Sequence, residues 1–278
     1  MEGLRKSNSK LLSVVLSILA FLWVFPFLFV LINFAKSGTV YNLGDFWDIP
    51  KEFSIGENIE YINDRISIYI SFFNSLFYGV AGSVLSIIIA ALAAYGVTKL
   101  NIKGKFYWFL LIYSGTVFPF QMYLVPIYRA YVKTGLYDTQ FGMILFYAAI
   151  SIPFCTFVLR NFFQATSNSL SEAAKIDGAS DFQIFYKIYL PMSKAPIAAL
   201  FLFQFSFIWN DLLFGLTFSK SVGVRPIMPN LSALAGTGGA IGNVPAMLLA
   251  CLVASIPTVF IYSVLNKHLE KGFVMTSK

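Results

Sequence analysis

Charged residues are scarce in this chain, and this scarcity sets its broad class. Asp, Glu, Lys and Arg together make up 12% of the 278 residues, whereas 58% are hydrophobic and 18% are aromatic. Soluble globular domains carry about 25% charged residues. The composition therefore excludes an ordinary soluble domain and predicts an integral membrane protein. The net charge of +7 comes from Lys and Arg spread over short loops, which argues against a nucleic-acid partner.

Cysteine and histidine are rarer still. Cys155 and Cys251 both fall in apolar runs, so they predict neither a disulfide framework nor a metal site. The one histidine, His268, has no second ligand near it in the sequence. A phosphate-binding loop of the form G-x-x-x-x-G-K-[ST] is also missing, because Gly104 and Lys105 lack the upstream glycine and the following Ser or Thr. We expect a chain with no catalytic residue, metal site or cofactor of its own.

Six apolar runs separate the polar segments, and each is long enough to cross a bilayer as an α-helix. They cover residues 11–34, 70–97, 106–127, 141–159, 195–218 and 244–265. The main polar segments are an acidic connection over 36–69, a loop over 160–194 and a tail over 266–278. We therefore predict an all-α membrane protein with six transmembrane helices in a single domain, residues 1–278. The second run is rich in Gly, Ala and Ser, which lets neighbouring helices approach closely.

The distribution of positive charge predicts the orientation of the chain. Of the 20 Lys and Arg residues, 13 lie on the side that carries both termini and the 160–194 loop, and 7 lie on the other side. Cytoplasmic loops of membrane proteins are enriched in Lys and Arg. We therefore predict that both termini and this loop are cytoplasmic, and that the protein spans the cell membrane several times.

The loop between the fourth and fifth runs has the most distinctive pattern. It reads SLSEAAKIDGASDFQIFYKIYLP over residues 169–191 and carries too many charges for the hydrocarbon core. Ser169 and Ser180 each begin a capping box, and Gly178 between them predicts helix, sharp turn, helix. Four aromatic residues at helical spacing predict one face on the second helix: Phe182, Phe185, Tyr186 and Tyr189. We expect this face to meet a partner protein; the alternative is an amphipathic hairpin lying on lipid headgroups.

The same loop matches the pattern EAA-x3-G-x9-I-x-L-P at Glu172, Ala173, Ala174, Gly178, Ile188, Leu190 and Pro191. It resembles the cytoplasmic coupling loop of permease subunits in type I binding-protein-dependent ABC importers. The layout of the runs and the Trp209-Asn210-Asp211 sequence in the fifth run are similar to the second permease of carbohydrate importers of the maltose type. The resemblance implies the type I ABC importer permease fold and a transport subunit for a sugar or oligosaccharide, not an enzyme.

The resemblance also implies the partners. A second homologous permease would complete a heterodimer, and two ATPase subunits would hydrolyse ATP with Mg²⁺. An extracellular solute-binding protein would deliver the sugar, and in the family it contacts the connection between the fifth and sixth runs. On this chain the matching contact candidates are Asn230, Gly236, Gly238 and Gly239.

Coupling to the ATPase is the first role that the resemblance assigns to particular residues. In the family the loop sits in a cleft of the ATPase, so closure of the ATPase dimer moves the membrane helices. On this chain that role falls on Glu172, Ala173, Ala174, Gly178, Phe182, Phe185, Tyr186, Leu190 and Pro191. Gly178 would set the angle between the two short helices. A cap that only stabilises its helix is the alternative role for Glu172.

Polar residues inside the runs are candidates for the substrate path. A carboxylate in hydrocarbon is costly, so Asp211 should face the protein interior or water. Either it lines the sugar path or the subunit interface, or it lies near the membrane surface or stabilises packing against the other permease. Hydrogen bonds between helices explain an intramembrane amide equally well. The path candidates are Trp209, Asn210, Asp211, Gln204, Gln121 and Asn74.

An ion-coupled secondary transporter is the alternative function. It would need buried ionisable residues for its coupling ion, and among the apolar runs only Asp211 offers one. An integral-membrane enzyme is a third class, but the sequence lacks paired carboxylates, a histidine cluster or a nucleophile and base at one membrane depth.

Overall fold

The computed structural model describes residues 2–44, 46–235 and 242–275, and the regular elements within these ranges are helical. In chain order they are α1 (Glu2–Asn33), α2 (Gly38–Asn42), α3 (Ile55–Arg65), α4 (Ile68–Lys99), α5 (Lys105–Tyr113), α6 (Gln121–Thr134), α7 (Gln140–Ala165), α8 (Ser169–Ile176), α9 (Asp181–Ile184), α10 (Leu190–Met192), α11 (Lys194–Trp209), α12 (Leu213–Phe218), α13 (Ile227–Leu234) and α14 (Val244–Met275). A 3₁₀ turn follows α5 at Ser114–Thr116, and a π-helical turn joins α9 to α10 at Phe185–Tyr189.

Within the described residues, four helical stretches are long and apolar enough to cross a membrane: Leu12–Asn33, Ile68–Lys99, Gln140–Ala165 and Val244–Leu265. Two bent pairs raise the number of crossings to six when each pair counts as one. The four long helices and the first bent pair, Lys105–Thr116 with Gln121–Thr134, coincide with five of the apolar runs. The second bent pair joins Lys194–Trp209, in the fifth run, to Asp181–Met192, which lies in the loop predicted over 160–194 and is not part of an apolar run. The predicted all-α fold is confirmed, although two of its crossings are not straight helices.

The third crossing is broken near its middle. The α5 segment, with its 3₁₀ turn, meets α6 at an angle of 95°. Pro119 lies at this break, where a proline removes a backbone donor and restricts the residue before it. Pro126 lies inside α6, which continues to Thr134 and so passes the predicted end of this run at residue 127.

The fourth crossing is longer than the apolar run that predicted it. Because α7 runs to Ala165, the stretch 160–165 belongs to this helix and not to the loop predicted over 160–194. The non-helical backbone begins at Thr166, whose hydroxyl donates to the Phe162 carbonyl over 2.9 Å. At the other end of α7 the Thr139 hydroxyl accepts the Gly142 N–H over 3.0 Å and caps the helix.

The chain forms two compact units, and the first comprises Met1–Ser67 and Leu231–Ala254. Its acidic connection contains α2 and α3, and Asn58 in α3 is buried. The Asn58 amide donates to the Lys36 carbonyl over 2.9 Å, and its oxygen accepts from the Asn243 amide over 3.2 Å. One amide therefore ties the connection to the start of α14.

The second unit comprises Ile68–Asn230 and Ser255–Lys278, and the helices α4, α7 and α11 form its core. A Cβ atom on Gly79 would lie 2.8 Å from the Phe205 ring. A Cβ atom on Gly82 would lie 2.9 Å from Ile208 and 3.2 Å from Tyr147. Small residues on α4 thus permit the close helix approach that the composition of this run predicted.

The two long helices α4 and α7 run in the same direction through the second unit. We call the end where they finish, at Lys99 and Ala165, the Lys99 end. We call the end where they begin, at Ile68 and Gln140, the Gln140 end. The helix-turn-helix segment that follows α7 lies at the Lys99 end, where Tyr95 and Lys99 contact it.

Candidate functional site

The segment from Ser169 to Met192 folds as the predicted helix, turn and helix. Gly178 adopts a left-handed backbone with φ of +81° just after α8. The Ala179 N–H donates to the Ala174 carbonyl over 2.9 Å, and the Gly178 N–H donates to the Lys175 carbonyl over 3.0 Å. This pair of bonds is a Schellman motif, which satisfies the last carbonyls of a helix and reverses the chain. Gly178 therefore ends α8 by the mechanism that the sequence predicted.

Only one of the two predicted capping boxes forms. The Ser180 hydroxyl accepts the Gln183 N–H over 3.3 Å, and the Gln183 side chain accepts the Ser180 N–H over 2.8 Å. At the first helix the prediction was wrong, because α8 begins one residue after Asn168 and no side chain caps it. Ser169 is already inside the helix, and its hydroxyl lies 3.0 Å from the Ser167 hydroxyl.

The four aromatic residues of the second helix do not share one exposed face. Phe182 and Tyr186 are 68% and 61% exposed, whereas Phe185 and Tyr189 are buried. The π-helical turn at Phe185–Tyr189 has wider i to i+5 hydrogen bonding, so the residues after it are rotated relative to ordinary helical spacing. The prediction of one aromatic face that meets a partner protein was therefore wrong for Phe185 and Tyr189, which are buried within this chain.

The buried pair is held in an aromatic socket at the Lys99 end. The ring of Tyr189 lies 5.4 Å from Tyr95 and 5.5 Å from Phe163, and that of Phe185 lies 5.2 Å from Tyr95. These separations are typical of favourable edge-to-face and offset ring contacts. The Tyr95 hydroxyl also donates to the Asp181 carbonyl over 3.1 Å. The segment is thus packed directly against the last turns of α4 and α7.

Lys99 adds a polar attachment beside the aromatic socket. Its ammonium donates to the Thr166 carbonyl over 2.8 Å and to the Asn168 side-chain oxygen over 2.7 Å, and it lies 5.1 Å from the centroid of the Tyr189 ring. The last residue of α4 therefore contacts both the residues that lead into the segment and a buried ring in its second half.

The outer surface of the segment presents apolar side chains to its surroundings. Ile176 is 88% exposed, and Leu170, Phe182 and Tyr186 are more than half exposed. Glu172 and Ala173 are also exposed, while Ala174 and Leu190 are half-buried and Pro191 is exposed. Several exposed large apolar side chains on one short polar segment mark an interaction surface. The ion pair between Lys175 and Asp181, at 3.0 Å, links the two helices, and both of its side chains are exposed.

In the fifth crossing, Asp211 lies at the break between α11 and α12. Its carboxylate accepts the Tyr147 hydroxyl over 2.8 Å, the Gly215 N–H over 2.9 Å and the Phe214 N–H over 3.2 Å. The backbone donors belong to the first turn of α12, so Asp211 satisfies N–H groups that the helix leaves without partners. Asp211 therefore caps the first turn of α12 and joins it to Tyr147 of α7 within this chain.

The remaining path candidates divide by exposure. Trp209 is buried and packs on Phe205 and Phe72, with ring separations of 5.6 and 5.3 Å. Gln204 and Asn74 are buried as well, whereas Asn210 and Gln121 are exposed. The Asn210 amide donates to the Ser206 carbonyl of its own helix over 2.8 Å.

Asn74 belongs to a polar cluster at the Gln140 end. Its amide donates to the Arg225 carbonyl over 3.2 Å, and its oxygen accepts from the Gln140 side chain over 3.2 Å. Of the candidates for contact with a binding protein, Asn230 lies in α13 and is buried. Gly236, Gly238 and Gly239 lie outside the described residues.

Asp138 fixes the two connections that meet at the Gln140 end. It has a left-handed backbone with φ of 56°, and its carboxylate accepts the N–H groups of Lys220 and Ser221 over 2.7 and 2.9 Å. Partial burial raises the pKa of this carboxyl, but these hydrogen bonds outweigh it, and the pKa lies below its ordinary value. The ionised form is therefore the one that holds the connections.

Several of these contacts were missed in the sequence. Tyr95 reads as one more aromatic residue in an apolar run, and Lys99 reads as part of a short basic loop. Tyr147 gave a usable signal, because a tyrosine hydroxyl inside a crossing needs a partner and Asp211 is an acceptor in another crossing. Asp138 gave a weaker one, since Asp is enriched at left-handed turn positions.

Comparison with known proteins shows the family to which this chain belongs. The family described as "Binding-protein-dependent transport system inner membrane component" matches residues 3–274. The "Probable ABC transporter permease protein YurM" of Bacillus subtilis is 29% identical over 267 residues, which cover 92% of this chain and 87% of that protein. The "Xylose/arabinose import permease protein XacI" of Haloferax volcanii is 30% identical over 244 residues, which cover 81% and 78%.

A solved structure has the same fold. It is described as the crystal structure of "a bacterial ABC transporter involved in the import of the acidic polysaccharide alginate". The TM-score is 0.81 at 24% identity, and the match covers 94% of this chain and 96% of that chain.

Crossing helices with a helix-turn-helix seated on one end define a multi-pass membrane subunit with exposed apolar side chains at that end. The chain belongs to the family of binding-protein-dependent transport system inner membrane components, and it is a permease subunit of an ABC importer. The subunit transports, and ATP hydrolysis belongs to a separate ATPase, as the sequence predicted. Partner ATPase and binding-protein subunits follow from the family. The ion-coupled alternative gains no support from these comparisons.

Proposed function

We propose that the chain is one of two different permease subunits in an importer of a sugar or oligosaccharide. The named substrates of its relatives support this choice, since XacI is a xylose and arabinose permease and the solved importer carries alginate. The sequence FLFQFSFIWNDLLFGL in the fifth crossing, with its similarity to carbohydrate permeases, supports it as well. A second permease completes the path, and an extracellular protein delivers the sugar.

The seating of the 169–192 segment carries the mechanistic part of the proposal. Its buried side is fixed to α4 by Tyr95 and Lys99, while Phe182 and Tyr186 project outward. Buried aromatic anchors are frequent hot spots of protein interfaces. We infer that the ATPase grips the exposed aromatic pair, and that the buried side passes the movement of the ATPase to α4. ATP and Mg²⁺ are bound by the ATPase, and this chain binds no cofactor.

This mechanism requires the Lys99 end to face the cytoplasm, where ATP is. The excess of Lys and Arg on this side of the chain supports that orientation, with both termini cytoplasmic. We propose that the exposed Asn210 of the fifth crossing lines the sugar path together with Gln121 of the third crossing. Asp211 and Trp209 stabilise the break between α11 and α12. Gln204 and Asn74 are buried and contribute to helix packing.

The first experiment is a pull-down of the tagged chain from its native membrane in mild detergent, with the bound proteins identified by mass spectrometry. We expect a second permease with an EAA pattern, an ATPase and a solute-binding protein. Phe182→Ala with Tyr186→Ala should release the ATPase and retain the second permease. Tyr107→Ala, which removes an exposed aromatic residue outside the segment, is the matched control and should release neither.

Recovery of the chain alone, or with copies of itself only, would overturn the proposal of a heterodimer. The sugar is tested separately by binding of labelled mono- and oligosaccharides to the recovered solute-binding protein. Binding of an amino acid or a metal in place of a sugar would overturn the substrate class and leave the importer intact. Uptake that collapses with a proton ionophore while ATP is maintained would revive the ion-coupled alternative.

A further inference from the structure

A basic cleft lies at the Lys99 end, apart from the exposed aromatic surface. Its volume is about 440 Å³, and it opens between the ends of α4 and α7 and the start of α5. Three cationic side chains line it, Lys99, Lys105 and Arg160, together with the polar groups of 164–168. The residues that line the cleft include neither Asp nor Glu. Cations that converge without a carboxylate attract an anion.

Two of the three cations are held in place by neutral groups. The Lys99 ammonium donates to the Thr166 carbonyl and to the Asn168 amide oxygen. The Arg160 guanidinium lies 4.0 Å from the centroid of the Phe109 ring and donates to the Asn161 side chain over 3.4 Å. Contacts of this kind position a cation and leave its charge in force, because no opposite charge is brought to it. The cleft is therefore positive and preorganised.

Lys105 lines the cleft from the first turn of α5. The next residue along this helix is apolar. Phe106 also lines the cleft and is 60% exposed. Beyond it, Trp108, Leu110 and Leu111 project from α5 with about half of their surface or more exposed. Since α5 is part of a candidate membrane crossing, exposed apolar side chains of this kind suit contact with acyl chains. The cationic cleft thus continues into an exposed apolar surface.

We propose that this cleft binds the phosphate headgroup of an anionic phospholipid, whose acyl chains lie along the exposed face of α5. Basic pockets between transmembrane helices at the cytoplasmic surface suit such headgroups. A free phosphate would use the cations alone, whereas a lipid uses both the cations and the apolar surface that starts at Phe106. The proposal holds whatever solute the importer carries. It places the headgroup beside Thr166 and Asn168, where the helix-turn-helix segment begins.

The test uses the whole importer purified in mild detergent. Native mass spectrometry counts the lipids retained after addition of phosphatidylglycerol or phosphatidylcholine. We expect phosphatidylglycerol to be retained and phosphatidylcholine to be lost. Lys105→Gln with Arg160→Gln should weaken retention roughly twentyfold, because each cation near an anionic lipid contributes about a fivefold preference. Lys103→Gln removes a neighbouring positive charge outside the cleft and should leave retention within about twofold.

Equal retention by the wild type and the double variant would overturn the proposal, and so would equal retention of the two lipids. Inorganic phosphate is the free-anion probe, and complete displacement of phosphatidylglycerol at millimolar phosphate would assign the cleft to a free anion and not to a lipid. If the double variant fails to assemble, Lys105→Glu replaces it, because this position is exposed on the surface of α5. That single reversal should abolish selective retention, and selectivity that persists would overturn the site.

Discussion

The two ends of the second unit are closed by different chemistry. At the Lys99 end, aromatic side chains pack on one another, and the rings of Tyr95, Phe163 and Tyr189 form a cluster under the 169–192 segment. At the Gln140 end, side chains meet backbone, and Asp138 and Asn74 bind N–H and carbonyl groups of the connection after α12. Both ends join elements that are distant in sequence.

The difference indicates what each end is built to do. Packed rings transmit displacement, because a close-packed interior has low compressibility. Hydrogen bonds to backbone fix the path of a connection and do not require a large moving surface. We therefore expect damage at the Lys99 end to uncouple the importer, and damage at the Gln140 end to loosen connections between crossings.

Tyr189→Ala should have the largest effect. It removes a fully buried ring from the aromatic socket, and substitutions of this kind cost about 3–5 kcal/mol. Thermal unfolding of the purified chain, followed by fluorescence, measures the loss. Phe182→Ala is the control on the exposed side and should change the free energy of unfolding by less than about 0.5 kcal/mol, while still weakening ATPase binding. A stable Tyr189→Ala chain would mean that the socket does not fix the segment.

Asp138→Ala should have the next largest effect, at the other end. It removes a charged acceptor from two N–H groups and puts alanine at φ of 56°, so we expect a loss of about 1–3 kcal/mol. Asp138→Asn tolerates the backbone and retains one acceptor, so its loss should be smaller. The measurement is again thermal unfolding. Transport at a temperature where the variant is folded should be retained, which shows that the loss is one of stability.

The pH dependence of this site has a defined sign. The pKa of Asp138 is lowered in the folded chain, so its contribution to stability is complete above its ordinary value of about 3.9 and is lost as the pH falls through the folded-state pKa. The stability difference between the wild type and Asp138→Asn should therefore shrink below about pH 4. A constant difference down to pH 3 would contradict the role of the ionised carboxylate.

The same comparison shows what the sequence could predict. The helix-turn-helix segment was found because its capping and glycine signals are local, and Gly178 and Ser180 behave as their neighbours in sequence dictate. The crossings were found because apolar length is a strong signal. The sharp bend of the third crossing was only hinted at by Pro119, since proline marks a break without giving its angle.

The residues of this chain that the segment packs against could not be predicted from local patterns. Tyr95 and Lys99 lie far from it in sequence, and no local pattern connects them to residues 166–189. The π-helical turn that buries Tyr189 and exposes Tyr186 depends on packing against those partners. Tertiary contacts thus determine which aromatic residues of the segment are buried and which are exposed.

Gly178→Asp should have a smaller effect on stability and a large one on transport. No atom would meet an added Cβ at this position, so the cost is the left-handed backbone alone, about 1–2 kcal/mol. We expect the complex to assemble but to fail in uptake of labelled substrate, because the added carboxylate places a negative charge on the exposed turn between α8 and α9. Gly178→Asn is the matched control, since asparagine adopts this backbone more readily, and it should retain more transport. Normal uptake with Gly178→Asp would remove the segment from the coupling mechanism.

The smallest expected effect compares two serines that look equivalent in the sequence. Ser180→Ala breaks a formed capping box and should cost about 1 kcal/mol. Ser169→Ala should cost almost nothing, because Ser169 is inside α8 and caps no backbone N–H. Thermal unfolding of the two variants side by side measures the difference, and hydrogen exchange of the amides of 181–184 localises it. Equal losses would mean that α8 and α9 start by the same mechanism, and a larger loss with Ser169→Ala would restore the first capping box.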